Sequence, residues 1–503
     1  MSGEDTSPAR GFRSANVRLA DVVRRGAEPP PLAAIARLPW HPWLIVGITC
    51  IGAFIGQLDA SIVQIALPIL GTRFKASLES VSWVSLAYLL AFAASLPIFG
   101  RLCEMFGRKL LYLLGYLLFT VATALCGSAP NLAWLIFFRL LQGIGGALLG
   151  ANSISILIKA VGANQRARAL GIFSAAQAVG ISLGPAVGGV LLGAYGWRAI
   201  FWVAVPFSAA AFVIGWLALP QTAGLAEEKV FDWWGALFLA PALITLVLAL
   251  NQVSAWGVAS PSLLFCAALF AILTISLILH ERAFAFPLLD FRLFARPAFS
   301  CGIVGVVLGY ALLYGMFFLM SFALVRGYHD PATLVGVRLA IVPVALGLIA
   351  PFSGALTDRL GPRVPSVAGM AISILSLLLL SLVADDPHVS RLIGGVALAL
   401  FGAGLGVFIA PNTSATVSAA PPDLSGEAGA LVNLMRVLGT SLGVVSASSM
   451  LSWQIQARTG AQSSAVIFEG RHLLKAVESG FAMLMVFALI AGLASLVRTP
   501  RPA

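Results

Sequence analysis

The chain has 503 residues, of which 59% are apolar and 10% are charged, and its formal net charge at pH 7 is +11. A water-soluble protein of this size could not bury so much apolar side-chain surface, so the composition excludes a soluble globular protein and indicates a membrane protein. The first 42 residues are polar and basic and lack the apolar core of a cleavable signal peptide, so we expect a tail followed by a true membrane span.

Fourteen apolar runs of about 20 residues follow this tail, and a helix of that length crosses the hydrocarbon core of a bilayer. Strands of a membrane barrel would be half as long and would alternate in polarity, so the sequence predicts an all-α integral membrane protein with 14 transmembrane helices. In chain order the predicted spans are 43–68, 81–100, 109–128, 131–158, 168–193, 199–219, 233–252, 261–280, 298–325, 332–353, 364–384, 391–413, 427–452 and 477–497.

The distribution of Lys and Arg predicts the orientation of these spans. If the N-terminus is inside, the inner segments hold 20 of the 31 basic residues and the outer loops hold 8. Basic loops are retained in the cytoplasm during insertion, so both termini are expected to be cytoplasmic. The positive net charge then favours contact with an anionic lipid surface and not with nucleic acid. The segment RLADVVRRG at 18–26 is interpreted as a disordered tail, with a short amphipathic surface helix as the alternative.

An internal repeat divides the chain. The loop GRLCEMFGRK at 100–109 recurs as GALTDRLGPR at 354–363, and SLG at 182–184 recurs at 441–443. Both echoes lie eight spans apart, so a six-helix half recurs after an inserted pair. The predicted domains are a basic cytoplasmic tail (1–42), an N-terminal six-helix bundle (43–220), an inserted two-helix linker with helices seven and eight (221–297) and a C-terminal six-helix bundle (298–503).

The repeated loop combines glycines with charges. Glycines permit a tight turn between helices, and acidic and basic side chains can form a cluster that latches one conformation and breaks in another. The alternative is that these charges only follow the rule for cytoplasmic loops. The predicted gating residues are Gly100, Arg101, Glu104, Gly107, Arg108, Lys109, Gly354, Asp358, Arg359, Gly361 and Arg363.

The fifth span contains GISLGPAVGG at 180–189. Gly180, Gly184 and Gly188 share one helix face, and such a stripe of small residues lets two membrane helices approach closely. Pro185 adds a local kink, and Gly189 follows the stripe. The alternative is that these glycines only allow helix packing, which is nearly the same as the functional interpretation. The glycine-rich stretches are not phosphate loops, because no GK[ST] follows any of them, and ATP is therefore not implied.

Five segments together resemble a known family. They are LDASIVQIALP at 58–68, GRLCEMFGRK at 100–109, RLLQGIGGA at 139–147, GISLGPAVGG at 180–189 and GEAGALVNLMRVLGTSLG at 426–443. The chain is similar in these segments to major facilitator superfamily transporters, within them to the fourteen-helix drug:proton antiporter family. Ser61 and Gln64 stand where that family usually has Thr and Asn, and Glu104 replaces an Asp. The resemblance implies two rocking six-helix halves, a hinge role for the fifth span and antiport.

Asp59 is the only acidic residue deep in any predicted span, and Arg139 is predicted at a similar depth. A charge at bilayer depth persists where it faces a partner or a wet cavity. In the resembled fold the first and fourth helices line the central cavity, so we expect Asp59 and Arg139 to pair, with Gln142 beside them. A carboxyl group whose partner moves changes its proton affinity, which makes Asp59 the leading proton carrier. The alternative is an ion pair that only holds the first half together.

Other polar and aromatic residues are predicted to line a substrate cavity. Arg436, with Asn433 beside it, could balance Asp59 or bind an anionic group of the substrate, and packing or pairing with Glu427 is the alternative. The predicted cavity residues are Gln64, Asn433, Arg436, Tyr310, Tyr314 and Phe317. Arg338 is expected to snorkel to the outer surface and receives no role.

The sequence therefore predicts a proton-coupled efflux transporter for hydrophobic or amphipathic drugs in the plasma membrane. A proton-coupled uptake symporter of a small metabolite, or a transporter-like sensor or scaffold, is the alternative. An enzyme is disfavoured because the five histidines fall at span ends or in loops. Neither a metal nor a disulfide is expected, and the proton gradient replaces a cofactor. The expected partners are the lipid bilayer, a small hydrophobic substrate and protons, with a periplasmic adaptor if the source has two membranes.

Overall fold

The structure is a computed structural model, and it describes residues 28–222, 231–284, 287–384, 387–421, 424–459 and 470–497. Within these ranges it contains 14 helices that are long and apolar enough to cross a membrane, as predicted, and no β-strand. The spanning helices are α1 (His41–Phe74), α2 (Leu78–Phe106), α3 (Lys109–Gly127), α4 (Leu132–Ala160), α5 (Arg166–Tyr195), α6 (Ala204–Ala218), α7 (Trp233–Trp256), α8 (Pro261–Ala283), α9 (Pro297–Phe322), α10 (Ala332–Leu360), α11 (Arg363–Val383), α12 (Pro387–Ser418), α13 (Ser425–Thr459) and α14 (Arg471–Leu496).

Short helical turns complete the described chain. They are Ala33–Ala36 before α1, Ala163–Gln165 before α5, Ala199–Trp202 before α6, Phe291–Ala295 before α9 and the π-helical turn Ala323–Gly327 after α9. The turn Ala199–Trp202 and α6 together make the sixth membrane-length segment, Ala199–Ala218. Most of the tail, including the segment interpreted at 18–26, lies outside the described residues. The predicted domain boundaries at 220/221 and 297/298 fall next to the ends of helices, and as boundaries they stay predictions.

Several helices are longer than the apolar runs that predicted them. The predicted first span ended at Pro68, but α1 continues to Phe74, so Pro68 lies inside the helix. Likewise α2 extends beyond residue 100 to Phe106. Hydropathy reports only the part of a helix in hydrocarbon, whereas backbone hydrogen bonds continue the helix into polar surroundings.

Local sequence explains where helices start and stop. Ser77 caps α2 by accepting from the Ser80 backbone N–H at 3.2 Å, and Asn131 caps α4 by accepting from Trp134 at 3.0 Å. Gly107 and Gly361 end α2 and α10 with φ of 100° and 75°, a conformation that favours glycine. These two glycines are the equivalent positions of the repeated loop, so the repeat preserves a turn geometry.

The helices form two groups related by the repeat. Helices α1 to α6 pack mainly with one another, and α9 to α14 do the same. Helix α7 lies against α2 and α13, and α8 packs on α7. The repeat relates α2 to α10 and α5 to α13. The contacts α2–α13 and α5–α10, which join the groups, are therefore equivalent under a pseudo-two-fold axis.

The two groups touch most closely at one end of the bundle. We call the end where α1 begins the tail side and the end where α1 finishes the far side. On the far side Arg326 Nη2 donates to the Pro68 carbonyl at 2.8 Å and to Thr72 Oγ1. Gly189 of α5 meets Gly336 of α10 there, and a Cβ on Gly189 would lie 2.8 Å from the Gly336 Cα. The far side is therefore closed.

Candidate functional site: a buried ion pair beside a central cavity

Asp59 of α1 and Arg139 of α4 form a buried ion pair. Arg139 Nη1 donates to Asp59 Oδ2 at 2.5 Å and to Gln142 Oε1 at 2.6 Å. Gln142 Nε2 in turn donates to Asp59 Oδ1 at 2.9 Å. The structure thus brings together the three residues that the sequence suggested for proton coupling. Since Arg139 and Gln142 lie three positions apart on α4, one helix face presents both groups to the carboxylate.

Asp59, Arg139 and Gln142 make further contacts with α2 and α3. Gln142 Nε2 also donates to Thr123 Oγ1 at 2.8 Å, and Arg139 Nε donates to the Val84 carbonyl at 2.8 Å. The Tyr88 ring lies against the guanidinium, with 4.4 Å from Arg139 Cζ to its centroid. Among the described residues Arg139 Nη2 has no hydrogen-bond partner. With Asp59 only 3% exposed and Arg139 fully buried, the pair lies in a low dielectric, where losing either charge is expensive.

A cavity of about 320 Å³ lies next to the triad, between the two groups of helices. Its walls come from the tail-side parts of α1, α4, α5, α12 and α13, and from the middle of α2, α3 and α9. The predicted residues Tyr310, Tyr314, Asn433 and Arg436 line it. Because the lining lies toward the tail side while the groups meet on the far side, the cavity belongs to a tail-side-open arrangement.

Two residues predicted for the cavity do not line it. Gln64 is buried and donates through Nε2 to Ser85 Oγ at 2.8 Å. Phe317 is also buried, with its ring 5.7 Å from that of Tyr314. Both lie toward the far side of residues that do line the cavity, at a depth where the two groups are packed together.

Tyr88 separates the ion pair from the cavity. Asp59 is not one of the lining residues, but its neighbour Ala60 and the Tyr88 ring are. The same ring covers the Arg139 guanidinium, so Tyr88 lies between the cavity and the pair.

On the second half, Arg436 faces the cavity without a counter-ion. Its Nε and Nη2 groups donate to Asn433 Oδ1 at 3.1 and 2.6 Å, and its Cζ lies 5.8 Å from the Tyr310 ring centroid. In the described part of the chain it makes no ion pair, and Glu427 does not pair with it.

The repeated loop lies on the tail side. Arg101 Nη1 pairs with Glu104 Oε2 at 3.3 Å within α2, and Glu104 remains 47% exposed. Lys109 is buried: Nζ donates to the carbonyls of Pro29 at 2.7 Å and Leu219 at 2.5 Å. Glu28 Oε1 accepts from the Lys109 backbone N–H at 2.8 Å. This loop therefore joins residues 28 and 29 of the tail to the chain just after α6, a role that the sequence did not suggest.

The remaining residues of the loop pattern have simpler surroundings. The Arg108 backbone N–H donates to Thr222 Oγ1 at 2.7 Å. In the second half Asp358 and Arg359 are exposed at the tail-side end of α10, and Arg363 begins α11. Gly100 and Gly354 have open space where a Cβ would be placed, so neither glycine is required by packing here.

The glycine stripe of α5 packs on α1. A Cβ on Gly180 would lie 2.5 Å from the Phe54 carbonyl oxygen, and one on Gly188 would lie 2.6 Å from Ile62 Cγ1. Gly184 faces Ser61 in the same way, whereas the Pro185 carbonyl and Gly189 face Gly336 of α10. Close approach is therefore achieved on two faces of α5, one within the first half and one across the halves.

Sequence reasoning missed several buried charged residues. They lie at helix ends, where charged residues are common and therefore give no signal in the sequence. Glu79 at the start of α2 accepts from Ser254 Oγ at 3.3 Å and from Ser452 Oγ. It therefore joins α2 to the end of α7 and to α13. Arg338, which was expected to snorkel, is instead buried and pairs with Asp330 at 2.7 Å because the loop before α10 folds over it.

Comparison with known proteins agrees with the architecture. The family model described as Major Facilitator Superfamily matches residues 49–444. A riboflavin transporter, RibZ, of Clostridioides difficile (strain 630) is 32% identical over 410 residues, covering 82% of this chain and 88% of that protein. The tetracenomycin C resistance and export protein of Streptomyces glaucescens is 32% identical over 419 residues, covering 83% and 77%. The multidrug resistance protein Stp of Mycobacterium tuberculosis (strain ATCC 25618 / H37Rv) is 31% identical over 412 residues, covering 80% and 75%.

Solved structures share the fold at low sequence identity. A bacterial homologue of the human lysosomal transporter Spinster, crystallised in an inward-facing and occupied conformation, has a TM-score of 0.66 and 17% identity, covering 92% of this chain and 97% of that one. The POT family transporter PepTSo has a TM-score of 0.63 and 16% identity, with the same coverage.

Proposed function

Because the chain belongs to the major facilitator superfamily of membrane transporters, we propose that it is a proton-coupled antiporter that exports hydrophobic or amphipathic drugs and toxic compounds. The observation that carries the proposal is the buried pair of Asp59 and Arg139 beside a central cavity. A carboxylate held in a low dielectric by one cation takes up a proton when that cation moves away.

The mechanism is alternating access. With the tail side assigned to the cytoplasm, as the distribution of basic residues predicts, the described arrangement is the inward-facing state. Substrate enters the cavity from the cytoplasm, and the halves rock so that the far side opens. Protonation of Asp59 from outside would release Arg139 Nη1, and loss of that proton to the cytoplasm would restore the pair seen here.

Drug export is supported by the relatives and by the chemistry of the cavity. Two similar proteins are named for multidrug resistance and for tetracenomycin C resistance and export. Aromatic side chains suit flat amphipathic molecules, which they contact over a large area with little demand on exact shape. Those that line this cavity are Tyr88, Phe92, Phe119, Phe173, Tyr310 and Tyr314.

The proposal includes a plasma-membrane location with both termini in the cytoplasm. It requires no cofactor beyond the proton gradient and no nucleic acid. If the source is a double-membrane bacterium, the proposed partners of the transporter include a periplasmic adaptor.

Proteoliposomes with an imposed pH gradient test this function. Efflux of a panel of lipophilic cations, neutral antibiotics and weak acids is compared between the parent and Asp59→Asn. We expect the variant to lose pH-driven efflux while still exchanging substrate at equal pH on both sides. Asp290→Asn is the matched control, since Asp290 lies in the loop before α9, away from the cavity, and pairs with Arg292. Retained pH-driven efflux in Asp59→Asn would contradict the proton-carrier role.

A second candidate function is proton-coupled uptake of a small metabolite. The similarity to a protein named as a riboflavin transporter favours it, because riboflavin is a flat aromatic molecule that would suit the same cavity walls. The direction of pH-driven flux in inverted vesicles distinguishes the two functions. Absence of any flux after reconstitution would favour a sensor or scaffold.

A further inference from the structure

We propose that the cavity selects organic anions and weak acids over cations, and that Arg436 is the residue that makes this selection. The inference rests on the proposed transport function and names its substrate class. Among the described residues that line the cavity, Arg436 is the only charged side chain. No lining carboxylate is present in that part of the chain to receive a cationic drug.

The charge of the nearby triad does not alter this balance. Asp59 is neutralised by Arg139 at 2.5 Å, and neither residue lines the cavity. A ligand in the cavity therefore meets one ion pair of zero net charge behind Tyr88 and one positive charge on α13.

The guanidinium of Arg436 is held in place by hydrogen bonds, but not all of its N–H donors have a partner among the described residues. Asn433 Oδ1 accepts from Nε and Nη2, which fixes the plane of the group. Nη1 makes no hydrogen bond to the described residues, so both of its N–H groups are left to donate to a ligand. Arginine binds carboxylates through such geometry with charge-assisted hydrogen bonds.

Burial strengthens the preference for an anion. Arg436 is half-buried and makes no ion pair in the described ranges, so part of its hydration is lost without a counter-charge. A ligand anion restores that interaction, whereas a ligand cation adds repulsion. Tyr310 and Tyr314 beside the guanidinium supply aromatic area for the body of the ligand.

The preferred ligand is therefore a flat aromatic molecule with one acidic group. Membrane potential, negative inside, drives such an anion outward and opposes the exit of a cation. Selection of acids thus also fits the export direction.

Equilibrium binding to the purified full-length protein tests the inference without relying on transport. The probes share one skeleton: 2-anthracenecarboxylate, 2-anthracenecarboxamide and 2-(aminomethyl)anthracene, each followed by its own fluorescence at pH 7. We expect the parent to bind the acid at least about tenfold more tightly than the amide, as one charge-assisted hydrogen bond predicts, and the amine most weakly.

Two variants isolate the charge. Arg436→Gln should bind acid and amide about equally while binding the amide as the parent does, which also shows that the cavity is intact. Arg436→Lys should keep part of the preference. An unchanged preference in Arg436→Gln, or a parent that binds the amine most tightly, would overturn the inference. If acid binding depends on Arg436 but no pH-driven flux occurs, the proposed function fails and the inference stands.

Discussion

Arg139 on α4 donates to Asp59 on α1 across 80 residues of sequence, and the ring of Tyr88 on α2 closes the guanidinium off from the cavity. Three helices thus contribute the acid, its cation and its cover. Proton exchange at Asp59 requires that Arg139 and the Tyr88 ring both move. A carboxylate that always kept its ion pair and stayed shielded from water would not exchange a proton.

Removing only one charge of this pair should destabilise the protein more than removing both. Arg139→Gln leaves Asp59 ionised and buried without its cation, at a cost of about 3–5 kcal/mol. The double variant Asp59→Asn with Arg139→Gln contains no buried charge at this site, and we expect it to regain most of the melting temperature. Thermal unfolding of the detergent-purified proteins, followed by circular dichroism, measures this. A double variant as unstable as Arg139→Gln would show that the two charges are not coupled.

Adding a methyl group to the glycine stripe should separate α5 from α1. In Gly184→Ala the new Cβ would meet Ser61 Oγ and lie 3.1 Å from the Ile62 backbone nitrogen, so we expect a loss of about 1–3 kcal/mol from overpacking. Gly171→Ala is the matched control on the same helix, because no atom lies within 4 Å of its Cβ position. That control should be neutral or stabilising by up to about 1 kcal/mol, since alanine is the better helix former. Equal melting temperatures for the two variants would argue against close packing at Gly184.

Loss of the Glu79 carboxylate should loosen the far side. Glu79 joins α2 to α7 and α13 through Ser254 and Ser452, so Glu79→Ala leaves these hydroxyls without that acceptor. We expect faster amide hydrogen exchange, read by mass spectrometry, in the peptides at 78–85 and 448–455. Glu104→Ala is the control, because that carboxylate is half-exposed and lies on the tail side. Unchanged exchange in both peptides after Glu79→Ala would mean that this junction does not hold the far side closed.

Lys109→Met should release the segment that precedes α1. The substitution leaves the carbonyls of Pro29 and Leu219 without their donor, and an unsatisfied buried acceptor costs about 1–3 kcal/mol. Trypsin should then cut faster after the exposed Arg37. Lys159→Met, which removes an exposed lysine at the end of α4, should leave the cutting rate unchanged. The docking of this segment would be in doubt if both variants were cut at the rate of the parent.

The sequence alone determined the class, the count and the order of the helices. Long apolar runs in a chain with few charges can only be membrane helices, because a bilayer offers no water to an unpaired backbone. The isolated Asp59 and the spaced glycines of α5 could be recognised for a related reason: a charge, or a row of small residues, is conspicuous against an apolar helix. The same logic missed Glu79 and Asp330, which lie at helix ends where charged residues carry no such contrast.

Only the tertiary structure decided which residues meet and which side is closed. Hydropathy gives depth along one helix but not rotation about its axis, so it could not tell that Tyr310 and Tyr314 line the cavity while Phe317 is packed away. It also could not tell that Arg338 has Asp330 as a partner, or that Arg436 has no counter-ion among the described residues. Whether a buried charge is neutralised depends on contacts between helices far apart in sequence, and those contacts exist only once the halves have packed.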